Sequence, residues 1–184
     1  KADHVVVNDL LASYYELEGV KGSEFRKVYL PANSPRGGLL GMAAVHAMGS
    51  DGERSSPVER GAWVLRKLLD NPPPPAPPNV PQLSRLEDKM QSARMMQSAH
   101  MEEAQCAQCH RRIDPIGFGL ENFNAAGKWR DLERMEARRG RRQVTRKEFP
   151  IDASGTLPDG TEFNDYFELR KAVADKSAAF ERGF

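Results

Sequence analysis

Cysteine is almost absent: the 184 residues hold two, Cys106 and Cys109. Two thiols with two residues between them close only a tiny loop, so a disulfide there would constrain little, and a stapled scaffold is excluded. Long apolar runs are missing as well. No stretch approaches the roughly 20 residues that span a bilayer as a helix, so no transmembrane segment is expected. Net charge is nearly absent, at +1 with histidine neutral. That balance argues neither for a nucleic-acid binder nor for an acidic-surface protein. The opening "KADHVVVNDLLASYY" lacks the basic-then-apolar layout of a secretory leader. Either a leader has been removed, or the chain is a piece of something longer. There are no internal repeats.

The near-zero charge hides an asymmetry. Residues 134–147, "RMEARRGRRQVTRK", carry seven basic residues and one acid, Glu136, so this stretch is +6 and the remainder sums to −5. It reads either as a solvated loop or as a docking surface for an acidic partner. With 39% hydrophobic and 29% charged residues, the chain has enough apolar content for one core and a small second lobe.

Proline marks the strongest boundary. "NPPPPAPPNVPQL" (71–83) holds seven of the 13 prolines, and a run without amide donors and with fixed φ is an extended polyproline-II spacer. It divides the chain into an N-terminal helical and extended segment (1–70), the spacer (71–83) and a C-terminal portion (84–184). Val80 and Leu83 give the spacer apolar anchors along the C-terminal lobe.

Local signals fill in the rest. In "SPVERGAWVLRKLLD", Ser56 is a helix cap, Pro57 sits at the first helical position and Glu59 completes a capping box. Val58, Gly61, Leu65, Leu68 and Leu69 then share a face. "GGLLGMAAVHAM" (37–48) reads as a short apolar helix, and 20–30 as extended. Ser84 and Glu87 repeat the capping box. Leu86, Met90, Ala93, Met96 and His100 follow at steps of 4, 3, 3 and 4, one helical stripe that aims His100 where the methionines point. "IDASGTLPDGTEF" suggests a hairpin around Pro158-Asp159-Gly160, and a last amphipathic helix runs from about Asp165. The expected fold is mainly α, helices with short β-hairpin elements, in which a helical segment and the polyproline spacer precede a small helical C-terminal lobe.

The two cysteines stand in "CAQCH" (106–110). Cys-x-x-Cys-His is the attachment signature of c-type haem. Thiols one helical turn apart can bond both vinyl-derived carbons on one porphyrin edge, and the adjacent imidazole then lies beneath the iron. Cys106 and Cys109 are thus the expected thioethers and His110 the proximal ligand of one covalently attached haem c, which makes 84–184 the expected haem-binding lobe, helical and like cytochrome c. A structural zinc site needs four ligands, and only histidines 4, 46, 100 and 110 are available without a second paired motif. A thioredoxin-like pair would open a helix in a βαβ unit, and no strand-rich run precedes residue 106. Downstream, Ile113, Pro115, Phe118, Leu120, Phe123 and Trp129 could wall an apolar haem plate, or simply pack a core. Pro115 and the carbonyls near it could accept a hydrogen bond from His110 Nδ1.

Three stretches then resemble a known family: "RGGLLGMAAVHAM…SSPVERGAWVLRKLLDNPPPPAPPNVPQL", "HMEEAQCAQCHRRIDPIGFGLENFNAAGKWR" and "IDASGTLPDGTEF". They are similar to the planctomycete-type secreted c-type cytochromes, built from adjoining domains of unknown function with one CxxCH haem site. The opening "VVNDLLASYY…GVKGSEFRKVYL" resembles the end of the domain that usually precedes these. The resemblance implies the C-terminal part of a longer, exported bacterial protein. The segment 131–149 is longer and more basic than the family usually shows.

The sixth iron ligand decides between electron transfer and chemistry on peroxide or oxygen. His100, on the same stripe as Met96, is the first candidate, and the family pattern has a histidine there. Met135 is the second and His46 the third. The function expected is electron transfer by a one-haem module. Its partners would be redox proteins, together with the rest of a longer polypeptide or other cytochrome subunits, and no nucleic acid. The alternative is a haem-dependent oxidative enzyme subunit acting with upstream domains. Covalent haem is installed after export, which places the protein in a periplasm or at a cell surface.

Overall fold

The computed structural model describes residues 2–75, 90–139 and 143–183. Among them are seven α-helices and three two-stranded antiparallel sheets, with 39% of the described residues in helix and 18% in strand. Those shares are those of an α/β mix, so the expectation of a mainly α fold is overturned. The largest source of strand is the basic segment, where β3 (Leu132–Arg139) pairs with β4 (Gln143–Pro150). Arg134 faces Glu148 and Glu136 faces Arg146 across the ladder, with ion pairs of 2.8 and 2.6 Å on the exposed face. Glu133 and Met135 turn to the buried face. The charge run therefore conceals a period of two, which is strand patterning and not that of a loop.

At the N-terminus β1 (His4–Val7) pairs with β2 (Arg26–Tyr29), a valine run meeting the segment read as extended. Between them α1 (Asp9–Tyr14) starts from Asn8, whose side chain accepts from Leu11 N. The apolar stretch at 37–48 is split into a 3-10 turn at Leu39–Gly41 and α2 (Ala43–Met48), because Met42 between them is extended.

Helix α3 (Pro57–Lys67) starts where its sequence places it, with Ser56 Oγ accepting from Glu59 N at 3.3 Å and Pro57 in the first turn, but the expected capping box is half made, because Ser56 N donates to Gly49 O at 2.9 Å. It crosses α5 (Ala104–Phe118) through glycine on both sides. A Cβ on Gly61 would lie 2.1 Å from Ile113 O, and one on Gly117 would lie 1.9 Å from Pro57 O. No side chain fits there, and the absence of two Cβ atoms sets the crossing. Around it lies one core containing Val64, Leu65, Leu68, Ile113, Ile116 and Leu120. It is completed by Leu157, Phe163, Tyr166 and Leu169 from the C-terminal elements.

Those elements follow their sequence signals. β5 (Gly155–Thr156) and β6 (Glu162–Phe163) flank the Pro-Asp-Gly turn. There Gly160 takes φ +88° and Asp159 Oδ1 accepts from Thr161 N at 3.1 Å. Asp165 caps α6 (Tyr166–Ala174), and α7 (Ser177–Gly183) follows, so the expected last helix is two.

A buried polar knot fastens the segment after α5. Arg60, 2% exposed, donates to the carbonyls of Leu120, Phe123, Asn124 and His46, and to Glu121 Oε1 at 3.0 Å. Arg130 Nη2 reaches Glu121 Oε2 at 2.8 Å. Burial brings the Arg60 guanidinium down to about 10, opposed by Glu121. Burial likewise raises Glu121, opposed by Arg60 and Arg130.

Helix α4 (Ala93–His100) begins later than the Ser84 capping box implied. Residues 84–89, and the anchors Val80 and Leu83, lie outside the described residues, and Met90 precedes the helix. Ser92 is the cap, accepting from Met95 N at 3.2 Å, while Glu133 Oε2 of β3 accepts from Ala93 N at 3.0 Å. The β3–β4 hairpin thus satisfies a free donor at the start of α4. Arg94 extends over the Phe118 ring at 4.6 Å and donates to the carbonyls of Asp152 and Ser154. At the head of the proline run, Asn71 Oδ1 accepts from Arg112 Nη2 of α5 at 2.6 Å.

Candidate functional site

All three members of the CxxCH motif stand on α5, in its first two turns. Residues three and four apart on a helix share a face, so Cys106, Cys109 and His110 form one patch that continues to Ile113 and Asp114. Both cysteines are free thiols and half-buried. Cys109 packs against the core cluster, which leaves the pair anchored on one side and reachable on the other.

His110 is held from below. Its Nδ1 lies 2.9 Å from Asp114 Oδ1 and 3.0 Å from Oδ2, one turn farther along the helix. The Asp114 side chain is 0% exposed, against 17% for that of His110. Burial pushes the Asp114 carboxyl up to about 6, an effect His110 opposes through its charge and its hydrogen bond. A carboxylate on Nδ1 fixes the tautomer that donates there and turns Nε2 into the ligating atom.

The sequence directed attention to Pro115 and nearby carbonyls for this bond. The structure gives it to Asp114, while Pro115 O accepts from Gly119 N at 3.3 Å. Inside a helix the backbone carbonyls are already engaged, so a side chain four residues on is the available acceptor. Asp114 is the site residue that the sequence reading missed. Its signal was the i, i+4 spacing in "HRRID".

The proposed walls divide. Phe118 is buried at the end of α5 beneath Arg94. Phe123 and Trp129 join Tyr166 and Phe167 in an aromatic cluster, with Phe123–Trp129 centroids 5.2 Å apart and nearly perpendicular. They form a bridge that closes the loop after α5. Both rings thus have a packing role in the core.

The residues expected as sixth-ligand candidates, with Met96, stand on three different elements, α4, β3 and α2. Met96 is partly buried on α4, and His100 closes that helix, separated from α5 by Met101–Glu103. The His100 side chain lies outside what is described. Met135 is 6% exposed on the inner face of β3. His46 is fully buried: its ring stacks on Phe123 with centroids 3.9 Å apart, and its Nε2 donates to Leu40 O at 2.7 Å. Among the described residues no group of three or more His, Cys, Asp or Glu is arranged to hold a metal ion directly, and no helix is long and apolar enough to cross a membrane.

Residues 36–133 match the model of a family described as PSCyt3, a protein of unknown function (DUF1588). That is more than half of the 184 residues. The chain belongs to the PSCyt3 family. Its name is that of a planctomycete-type cytochrome domain. The PSCyt3 match takes in α2, α3, α4 and α5 with the CxxCH motif and ends at Glu133, inside β3. Most of the hairpin, the "IDASG" stretch and the β1–β2 pair lie outside it. No curated protein and no solved structure matches the chain.

Proposed function

We propose that the chain is a one-electron transfer module built on a single covalently attached haem c. Cys106 and Cys109 would hold the group through thioethers and His110 Nε2 would be the proximal ligand. The observation that carries this reading is the arrangement on α5: two free thiols one turn apart, next to an imidazole whose Nδ1 rests on a buried carboxylate. That donor set fits the group, since thiols and ring share a face and the ring's tautomer is already assigned. When bound, the haem supplies a one-electron couple. The chain positions it, excludes water through Ile113 and Ile116 from one side of α5, and exchanges one electron with a donor protein and then an acceptor protein. His100 is the proposed distal ligand, because it lies at the end of the helix that turns directly into α5. Haem attachment of this kind takes place on exported chains, so the proposed location is a periplasm or a cell surface.

Intact-mass analysis of the protein from a haem-maturing host, with a pyridine haemochrome spectrum, tests the reading. One haem per chain is expected. Cys106→Ser or Cys109→Ser should leave it singly linked or lost and the fold weakened, because a group bound only by the native state adds to its stability. A wild-type mass equal to that of the amino acids alone overturns the proposal. The long-wavelength absorbance of methionine–iron ligation in the oxidised protein would replace His100 by Met135. Carbon monoxide or cyanide binding without denaturation would instead leave the distal position open.

A further inference from the structure

We infer that Asp114 is a positioning residue that fixes the His110 ring and places a buried negative charge behind it, holding the module at a low reduction potential. The inference rests on the haem reading above and deepens it. Three observations carry it. Both carboxylate oxygens lie within hydrogen-bond distance of one nitrogen, at 2.9 and 3.0 Å, so the acceptor is centred on Nδ1. The carboxylate is 0% exposed, and among the described residues His110 is its polar partner. Its neighbours along the buried face of α5 are Ile113, Ile116 and Gly117.

Packing does not account for it. An aliphatic side chain would fill an apolar helix face without desolvating a charge, and buried ion pairs are often replaced by hydrophobic residues without loss of stability. A carboxylate kept there acts on whatever His110 holds. Accepting the Nδ1–H makes the imidazole a stronger donor through Nε2, as carboxylates do for metal-bound histidines in general. Greater electron donation and a fixed negative charge both favour ferric over ferrous iron. The surrounding low dielectric lets that charge act at short range with little screening.

The test compares loaded wild-type protein with Asp114→Asn, which keeps the shape and one acceptor oxygen and removes the charge. Haem content by intact mass should match wild type, and the midpoint potential read by spectroelectrochemistry should move to a more positive value. Glu103→Gln, an exposed charge at the start of the same helix, should shift it far less. A fully loaded Asp114→Asn protein with the wild-type potential overturns the inference and leaves the haem reading standing. Wild-type chains without haem overturn both. Where Asp114→Asn fails to accumulate, nitrogen-15 NMR of the reduced wild-type protein decides. The His110 Nδ1–H should resonate downfield, as expected for donation to a carboxylate, and exchange slowly with water. A resonance typical of a carbonyl acceptor, or fast exchange, rules Asp114 out.

Discussion

His46 has a cost written into its surroundings. Its ring is fully buried against Phe123, Nε2 donates to Leu40 O, and Nδ1 has no hydrogen-bond partner. Burial is the main reason its pKa is pushed down to about 3, and the charge of Arg60 adds to this. The unfolded chain accepts this proton below about 6.5, whereas the native state does so only near 3. Stability is therefore lost as pH falls through that window, at about 1.4 kcal/mol per pH unit from this one group. His46→Gln keeps an amide donor for Leu40 O and removes the titration. Urea denaturation of both proteins between pH 7 and pH 4 should show a shallower acid limb for the variant, and parallel limbs would refute the account. At this scale the sequence is legible where chemistry is local. CxxCH announces itself by spacing alone, and Asp114 could have been found by counting four from His110. The burial of His46 depends on Phe123, far along the chain, and no local pattern encodes it.

Helices α3 and α5 meet where both have glycine, and opposing effects can be weighed there. Replacing a glycine in a helix interior by alanine gains up to about 1 kcal/mol in propensity, and less at Gly117, the next-to-last residue of α5. At Gly117, however, the new Cβ would lie 1.9 Å from the Pro57 carbonyl, and at Gly61 2.1 Å from that of Ile113. Backbone cannot yield as a side-chain tip does, and overpacking of this kind costs about 1–3 kcal/mol or more. Sterics win. Gly117→Ala should lower the melting temperature by several degrees, taking about 2–4 °C per kcal/mol for a chain of this size. A melting temperature equal to or above wild type would show that the helices do not touch there. The start of α3 was readable from Ser56, Pro57 and Glu59 because capping is a four-residue signal. The β3–β4 ladder was not, since arginine dominates the composition. Its alternation becomes meaningful only once Glu148 and Glu136 are seen opposite Arg134 and Arg146.

The whole molecule is joined across its proline run. The core cluster takes Leu40, Val64, Leu65 and Leu68 from one side of residues 71–83 and Ile113, Ile116, Phe163, Tyr166 and Leu169 from the other. Polar contacts follow the same division: Arg60 clasps the carbonyls after α5, Tyr166 OH donates to Pro35 O at 2.8 Å, and Arg170 donates to Ser34 O at 2.9 Å. Removing residues 1–70 would strip α3 from Ile113, Ile116 and Gly117 of α5 and take Arg60 and Ser55 away from Glu121, which puts core apolar surface into water and leaves that carboxylate with Arg130 alone, an outcome far costlier than losing surface contacts. A fragment of residues 84–184 should therefore lack a cooperative unfolding transition in urea and show weak near-ultraviolet dichroism, and added 1–75 should restore both. Sharp unfolding of the 84–184 fragment by itself would mean that the C-terminal part carries its own core, and that the glycine crossing joins two folded bodies instead of making one.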